Sequence, residues 1–223
     1  MKMSKKVLIQ RTSLLAVLLM VLMSLVGAES VLLFDDFSDG SLLNPPATTN
    51  NPKWKARHWS VPMPVDDGSG NMVLEDESFS IFAGDPEWTD YEVEIKFRVL
   101  SNNFYCLQTH LRYERDNEPI YYNTRILNTG PRLVYQVVMD GKQIDKAAAN
   151  LGTSALDAWG TSWHIYKVGI VGNKITASID GKEISFATVE PYASKGNFWI
   201  YVDKHGGTSG KHMQIDYIKV TEL

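Results

Sequence analysis

Three short stretches hold the side chains best able to do chemistry. Over Tyr91–Val99, Glu92, Glu94, Lys96 and Arg98 alternate with Tyr91, Val93, Ile95, Phe97 and Val99. Over 105–113, Gln108, His110 and Arg112 alternate with Tyr105, Leu107, Leu111 and Tyr113. Over 197–203, Trp199 and Tyr201 recur at the same period. A period of two sends neighbouring side chains to opposite faces of a strand. One wet face is therefore expected to gather Glu94, Arg98, Gln108, His110 and Arg112 beside the rings of Trp199 and Tyr201. Carboxylate, guanidinium, amide and imidazole groups exchange hydrogen bonds with ligand hydroxyls, while flat rings cover apolar ligand faces. A solvated, salt-bridged sheet face has the same composition, so that reading stands beside the first.

Other chemistries find no support. His58, His110, His164, His205 and His212 lack zinc-binding spacing such as His-Glu-x-x-His. Gly68-Ser69-Gly70 is a loop fragment and not the Gly-x-Ser-x-Gly elbow of a serine hydrolase. Cys106 is the lone cysteine and has no activating partner motif beside it.

The elements that must position these residues read as strands. Short runs rich in Val, Ile, Tyr, Phe and Trp are separated by Gly, Pro, Asn and Asp from residue 30 onward. Strands are expected over 91–99, 105–113, 120–127, 133–139, 163–171, 174–179, 183–187, 197–203 and 213–221. Gly172-Asn173 and Asp180-Gly181 mark tight turns that need positive φ. Only 145–156 has the composition for a short helix. Residues 41–53 and 206–210 read as loops within one domain, since both ends of the mature chain read as strands. So many strands in about 195 residues suit an all-β, two-sheet antiparallel sandwich.

The first 28 residues differ. Lys2, Lys5, Lys6 and Arg11 precede an apolar run over 14–26, followed by Val26-Gly27-Ala28. This is the layout of a secretory signal peptide over 1–28, with cleavage expected after Ala28 and a single domain over 29–223. The alternative is a retained anchor, for which the run falls short of the roughly 20 residues that span a bilayer. The whole chain carries a net charge of -4. Four of its 22 basic residues and none of its 26 acidic ones lie in the leader, so the mature part carries -8. An acidic protein is a poor partner for nucleic acid or an anionic membrane surface. With one thiol and no internal disulfide, the fold must rest on its core, and a chain of this size buries roughly 70% of its unfolded surface.

Leu33-Phe34-Asp35-Asp36-Phe37-Ser38-Asp39-Gly40 near the start, with Trp54 and Trp59 after it, and Met213-Gln214-Ile215-Asp216-Tyr217-Ile218-Lys219-Val220 at the end resemble the concanavalin A-like lectin/glucanase superfamily. Trp88-Thr89-Asp90-Tyr91 and the strand it opens resemble an early concave-sheet strand of that family. The likeness is to its laminin-G-like jelly rolls and to the 3-keto-disaccharide hydrolase-type domain, and it spans residues 31–221. It implies a jelly-roll sandwich whose opening and closing strands lie side by side. It also implies a structural calcium ion held by Asp36 and Asp216 with a carbonyl from 67–70. Calcium takes about six to eight oxygen ligands, so two carboxylates with carbonyls and water are chemically sensible.

Glycoside hydrolase family 16 shares this architecture and uses a strand of the form Glu-x-Asp-x-x-Glu. Its nucleophile and acid sit about 5–5.5 Å apart in a retaining enzyme. The corresponding stretch, Asn117-Glu118-Pro119-Ile120-Tyr121-Tyr122-Asn123-Thr124-Arg125, carries no such pair, and Glu75-Asp76-Glu77 lacks the spacing. The resemblance thus implies a secreted or envelope-located lectin-like module. Its expected partner is a polysaccharide or other glycan, bound by Glu94, Arg98, Gln108, His110, Arg112, Trp199 and Tyr201. A sugar-cleaving enzyme using Glu92, Glu94 or His110 is the first alternative. An adhesive or structural envelope module with a large exposed apolar patch is the second.

Overall fold

Alternating apolar residues dominate the chain, and in the computed structural model they form strands throughout. The structure describes residues 30–42, 54–58, 62–76, 78–100, 104–113, 121–127, 132–139, 142–150, 162–187, 194–204 and 213–223. The expected leader over 1–28 lies outside them. Backbone contacts divide the chain into Met1–Ser30 and Val31–Leu223, and every strand belongs to the second unit. No helix among the described residues is long and apolar enough to cross a membrane.

One sheet runs in the order β13(Lys182–Ala187), β12(Lys174–Ile179), β11(His164–Val171), β6(Tyr91–Val99), β15(Met213–Glu222), β4(Met72–Asp76), β3(Pro64–Asp66). β1(Val31–Asp35) joins it as an eighth strand on β15. The other runs β10(Lys142–Asn150), β9(Arg132–Met139), β8(Tyr121–Leu127), β7(Phe104–Tyr113), β14(Asn197–Lys204), β5(Phe79–Ala83), β2(Lys55–His58). All the pairings are antiparallel. This two-sheet sandwich is a concanavalin A-like jelly roll.

The core lies between the layers. Val93, Ile95 and Phe97 of β6, Tyr166, Val168 and Ile170 of β11, and Ile218 and Val220 of β15 form one wall. Leu107 and Leu111 of β7, Ile200 and Val202 of β14, and Ile81 of β5 belong to the other. Burying each such side chain contributes about 1.5–3 kcal/mol. A bulge keeps β15 in phase with this core. Its ladder with β6 steps from Ile215↔Phe97 to Tyr217↔Lys96, leaving Asp216 as the extra residue. Strict alternation after Met213 and Ile215 would send Tyr217 and Lys219 inward. The inserted residue resets the phase, so Ile218 and Val220 are buried instead.

Two expectations are corrected here. The helix expected over 145–156 is not formed where it is described: Asp145 to Asn150 belong to β10, with Ala147, Ala148 and Ala149 opposite Tyr135, Val134 and Leu133. The ladder offered by β9 overrides the local alanine preference. The single wet face is also not formed. Strands β6 and β7 follow one another in sequence but lie in different sheets, so Glu94 and Arg98 point away from Gln108 and His110, on the opposite outer surface.

The opening and closing strands do lie side by side, with Asp35 opposite Ile218. Asp36 and Asp216, the pair expected to hold calcium, make separate contacts. Asp36 is exposed and accepts the Ser38 amide at 3.1 Å. Asp216 pairs with Lys96 at 2.7 Å and accepts the Asn71 side-chain amide. No group of three or more His, Cys, Asp or Glu that could hold a metal occurs among the described residues.

The buried acid of this segment is Asp35, 3% exposed. Its carboxylate accepts the Trp54 indole N–H at 2.6 Å and the Phe37 amide at 2.8 Å. Burial outweighs these bonds and pushes its pKa from 3.8 up to about 6. A raised carboxylate pKa means that the fold favours the protonated form. The associated stability is complete below pH 3.8 and is lost as pH rises through about 6. Wild-type stability measured against Asp35→Asn by chemical denaturation is therefore expected to fall by up to about 3 kcal/mol between pH 4 and 7. A flat difference between the two would overturn this.

Candidate functional site

The outer face of the seven-stranded sheet is built in rows by its register. Lys55, Phe82, Trp199, His110 and Asn123 lie opposite one another in sequence across β2, β5, β14, β7 and β8. The next row is Ser80, Tyr201, Gln108 and Arg125. Residues between them in each strand (Ile81, Ile200, Thr109, Thr124) face inward, so all nine side chains share the outer surface.

Phe82, Tyr113 and Trp199 form an apolar cluster separate from the main core, with Tyr201 packed against it. The Trp199 ring lies 3.9 Å from that of His110, 5.4 Å from Tyr113 and 6.1 Å from Tyr201 between centroids. Trp199 is only 7% exposed, and its indole N–H donates to Ser80 Oγ at 2.7 Å. It is the foundation of the ledge, and Tyr201 is its more exposed ring. Gln108 ties the polar part together. Its Oε1 accepts the Asn123 amide at 2.9 Å and lies 3.3 Å from His110 Nε2, and its Nε2 donates to Cys106 Sγ at 3.1 Å.

Burial pushes the Cys106 thiol up to about 12, so it is no nucleophile. Burial first, then Asp203, raises the Tyr201 hydroxyl above its ordinary range. On the described part of this face the carboxylate is Asp203, opposite Cys106. Two carboxylates about 5–5.5 Å apart, as a retaining glycosidase needs, are not assembled there among the described residues. Tyr201 and Gln108 are the partly exposed members, a ring and an amide able to meet a ligand, while Phe82, Tyr113, Trp199, His110 and Asn123 are buried beneath and beside them.

Of the seven residues expected at the site, the structure brings together Gln108, His110, Trp199 and Tyr201. Glu94 lies on the other sheet, accepting from Tyr217 at 2.5 Å and Lys167 at 2.6 Å. Burial alone would raise its pKa, but those two partners outweigh it and hold the carboxyl below the usual range. Arg98 lies on that same outer surface, 4.5 Å above the Trp163 ring and 3.1 Å from Asp67. Both belong to the salt-bridged sheet face weighed above as the alternative.

Arg112 is corrected for a different reason. The ladder passes from Trp199↔His110 to Asn197↔Tyr113, so β7 carries an extra residue there. Arg112 sits at this bulge with φ 50°. Its side chain is 2% exposed and leaves the face, donating at 2.8 Å each to the Thr89 carbonyl, the Gly172 carbonyl and Asp90. The same bulge turns Tyr113 outward onto the ledge, against its expected inward position. Gly196 makes this possible: a Cβ there would stand 2.6 Å from the Arg112 carbonyl carbon.

Sequence reading missed Lys55, Ser80, Phe82, Asn123 and Arg125. The signal for β5 was present in Phe79-Ser80-Ile81-Phe82-Ala83, a nearly unbroken apolar run as expected of a strand covered on both faces.

No family model matches the sequence. No curated protein matches it either. Solved structures do. A β-glucanase of Bacillus licheniformis superposes with a TM-score of 0.59 at 12% identity, over 89% of this chain and 100% of the other. The carbohydrate-binding module CBM66 from Bacillus subtilis gives 0.53 at 11%, over 76% and 95%. A glycoside hydrolase family 16 endo-glucanase from Bacteroides ovatus gives 0.54 at 14%, over 75% and 93%. At such identities the likeness establishes the jelly-roll fold, which hosts both enzymes and binding modules.

Arg112→Met removes a buried charge and three directed bonds while keeping the length of the side chain. It is expected to cost about 3 kcal/mol in chemical denaturation. Arg112→Lys should recover only part of that, since an ammonium cannot reach three acceptors in a planar fork. Equal stability of wild type and Arg112→Met would show that the clasp contributes nothing.

Proposed function

We propose that this protein is an exported, lectin-like carbohydrate-binding module whose binding surface is the outer face of the seven-stranded sheet. The observation that carries the reading is the joining of the partly exposed Tyr201, seated on the buried rings of Phe82, Tyr113 and Trp199, to the hydrogen-bonding set Gln108, His110 and Asn123 on one side of the sheet. Sugar rings present an apolar face edged by hydroxyls, and this pairing complements both features. The similarity to a carbohydrate-binding module and to glucanases supports the same ligand class. Export rests on the basic start, apolar run and small-residue site of residues 1–28.

A sugar-cleaving enzyme is the second reading, favoured by the likeness to endo-glucanases. Its weakness is the lack of a carboxylate pair among the described residues of the face. The adhesive reading has less support. Among the described residues the exposed large apolar side chains are Val31, Met63, Leu100, Ile165, Val171 and Leu223; only Ile165 and Val171 share a strand, β11, and none of the six belongs to the seven-stranded sheet.

Glycan-array screening followed by affinity electrophoresis tests the proposal. A polysaccharide ligand is expected, with affinity weakened at least about tenfold by Tyr201→Ala while the melting temperature is kept. Incubation with the bound polysaccharide should release no reducing ends. Lack of binding across the array would count against the binding module, and steady release of reducing ends would favour the enzyme.

A further inference from the structure

We propose that the carbohydrate taken by this face is anionic, a chain bearing carboxylate or sulfate groups. This rests on the binding-surface reading above and adds the charge of the ligand.

The evidence is the fate of the cations on the two outer surfaces. On the eight-stranded sheet Lys96 pairs with Asp216, Arg98 with Asp67, and Lys167 with Glu92 and Glu94. On the seven-stranded sheet Lys55 and Arg125 make no ion pair among the described residues. Lys55 is exposed on β2, its Nζ 5.8 Å from the Phe82 ring centre, at one end of the aromatic ledge. Arg125 stands on β8 opposite Gln108, at the other end. Its Nε is buried and has no hydrogen-bond partner among the described residues. The nearby carboxylate, Asp203, is engaged with the Tyr201 hydroxyl.

In a chain of net charge -4, two cations without an ion pair among the described residues, at both ends of one aromatic surface, present a local field opposite to the overall sign. Arg125 as a residue is partly exposed, and an oxyanion on this face supplies its guanidinium with charged acceptors. Planar carboxylate and sulfate groups fit the guanidinium fork, whereas a neutral hydroxyl leaves the charge uncompensated. The two cations are four strand spacings apart, about 19 Å across the sheet. One monosaccharide cannot span that distance, so the geometry selects an extended charged chain.

Matched polymers differing only in charge test this on the full exported chain. Polygalacturonate is compared with its methyl-esterified form for carboxylate, and dextran sulfate with dextran for sulfate, each at low and high sodium chloride. One charged member is expected to bind about tenfold more tightly than its neutral counterpart, with the preference shrinking as salt rises. Which pair shows it identifies carboxylate or sulfate. Lys55→Gln and Arg125→Gln should each reduce that preference several-fold, while Lys174→Gln, an equal charge change on the other sheet, leaves it intact. Because Lys55 is exposed, its variant remains informative even if Arg125→Gln folds poorly. Equal, salt-insensitive binding of charged and neutral members would overturn the anionic proposal while the carbohydrate reading stood. Failure to bind any of these polymers or any glycan on the array would remove both.

Discussion

Arg112 stands where β7 leaves its regular ladder, and its guanidinium reaches across the end of the sandwich to Thr89, Asp90 and Gly172. Asp90 precedes β6, and Gly172 turns β11 into β12, so one side chain of the seven-stranded sheet holds two connections of the other. Tyr91 reinforces the joint from below: its hydroxyl accepts the Arg112 amide at 2.8 Å and donates to the Asn197 carbonyl at 3.1 Å. A left-handed backbone at a non-glycine residue is disfavoured by roughly 1–2 kcal/mol. Three charge-assisted or carbonyl-directed bonds offset that cost. The strain and the clasp therefore belong together. Without the bulge Arg112 would face outward and Tyr113 would turn into the core, and the aromatic ledge would lose a wall.

The two outer faces show how similar residue patterns reach different ends. Alternation gives both a polar surface, yet their balance of charge differs. On β6 and β15, acids and bases sit opposite one another and neutralise in place, with Glu94 held between Lys167 and Tyr217. These partly buried pairs satisfy one another, leaving few groups for a ligand. On β7 and β14 the central side chains are aromatic rings, amides, a thiol and an imidazole, and Lys55 and Arg125 stand at the periphery. The binding proposal rests on that second surface.

Much of the fold was legible in the sequence because period two is a strong signal wherever one face is buried. The Tyr91–Val99 strand, the hairpin turn at Asp180 and Gly181 with φ 50° and 78°, and the adjacency of the terminal strands all follow from local pattern or motif. What alternation cannot reveal is which sheet a strand enters. Nothing in residues 91–113 distinguishes a hairpin from a crossover, so Glu94 and Arg98 were grouped with residues on the far side of the molecule. Bulges are equally silent. At Arg112 and Asp216 a single inserted residue reverses the phase, and its cause lies in distant partners: Gly196 against the Arg112 backbone, Lys96 and Asn71 around Asp216. The alanine-rich 147–149 misled in the opposite direction, since a neighbouring strand decided its state.

The jelly roll itself leaves the question of catalysis to a few positions. Outward side chains two residues apart on one strand stand roughly 7 Å from each other, and neighbouring strands bring others closer. The centre of this sheet could therefore have hosted paired acids. It holds Cys106, Gln108 and His110 instead, with Asn123 beside them. Gln108 occupies the place where a glutamate of nearly the same shape would supply a charge. As an amide it both accepts and donates, joining Asn123, His110 and Cys106 in one network. A carboxylate there could only accept, and it would leave the Cys106 contact without its donor. The network that orders this surface for hydrogen bonding thus uses the chemistry that acid–base cleavage would have to displace.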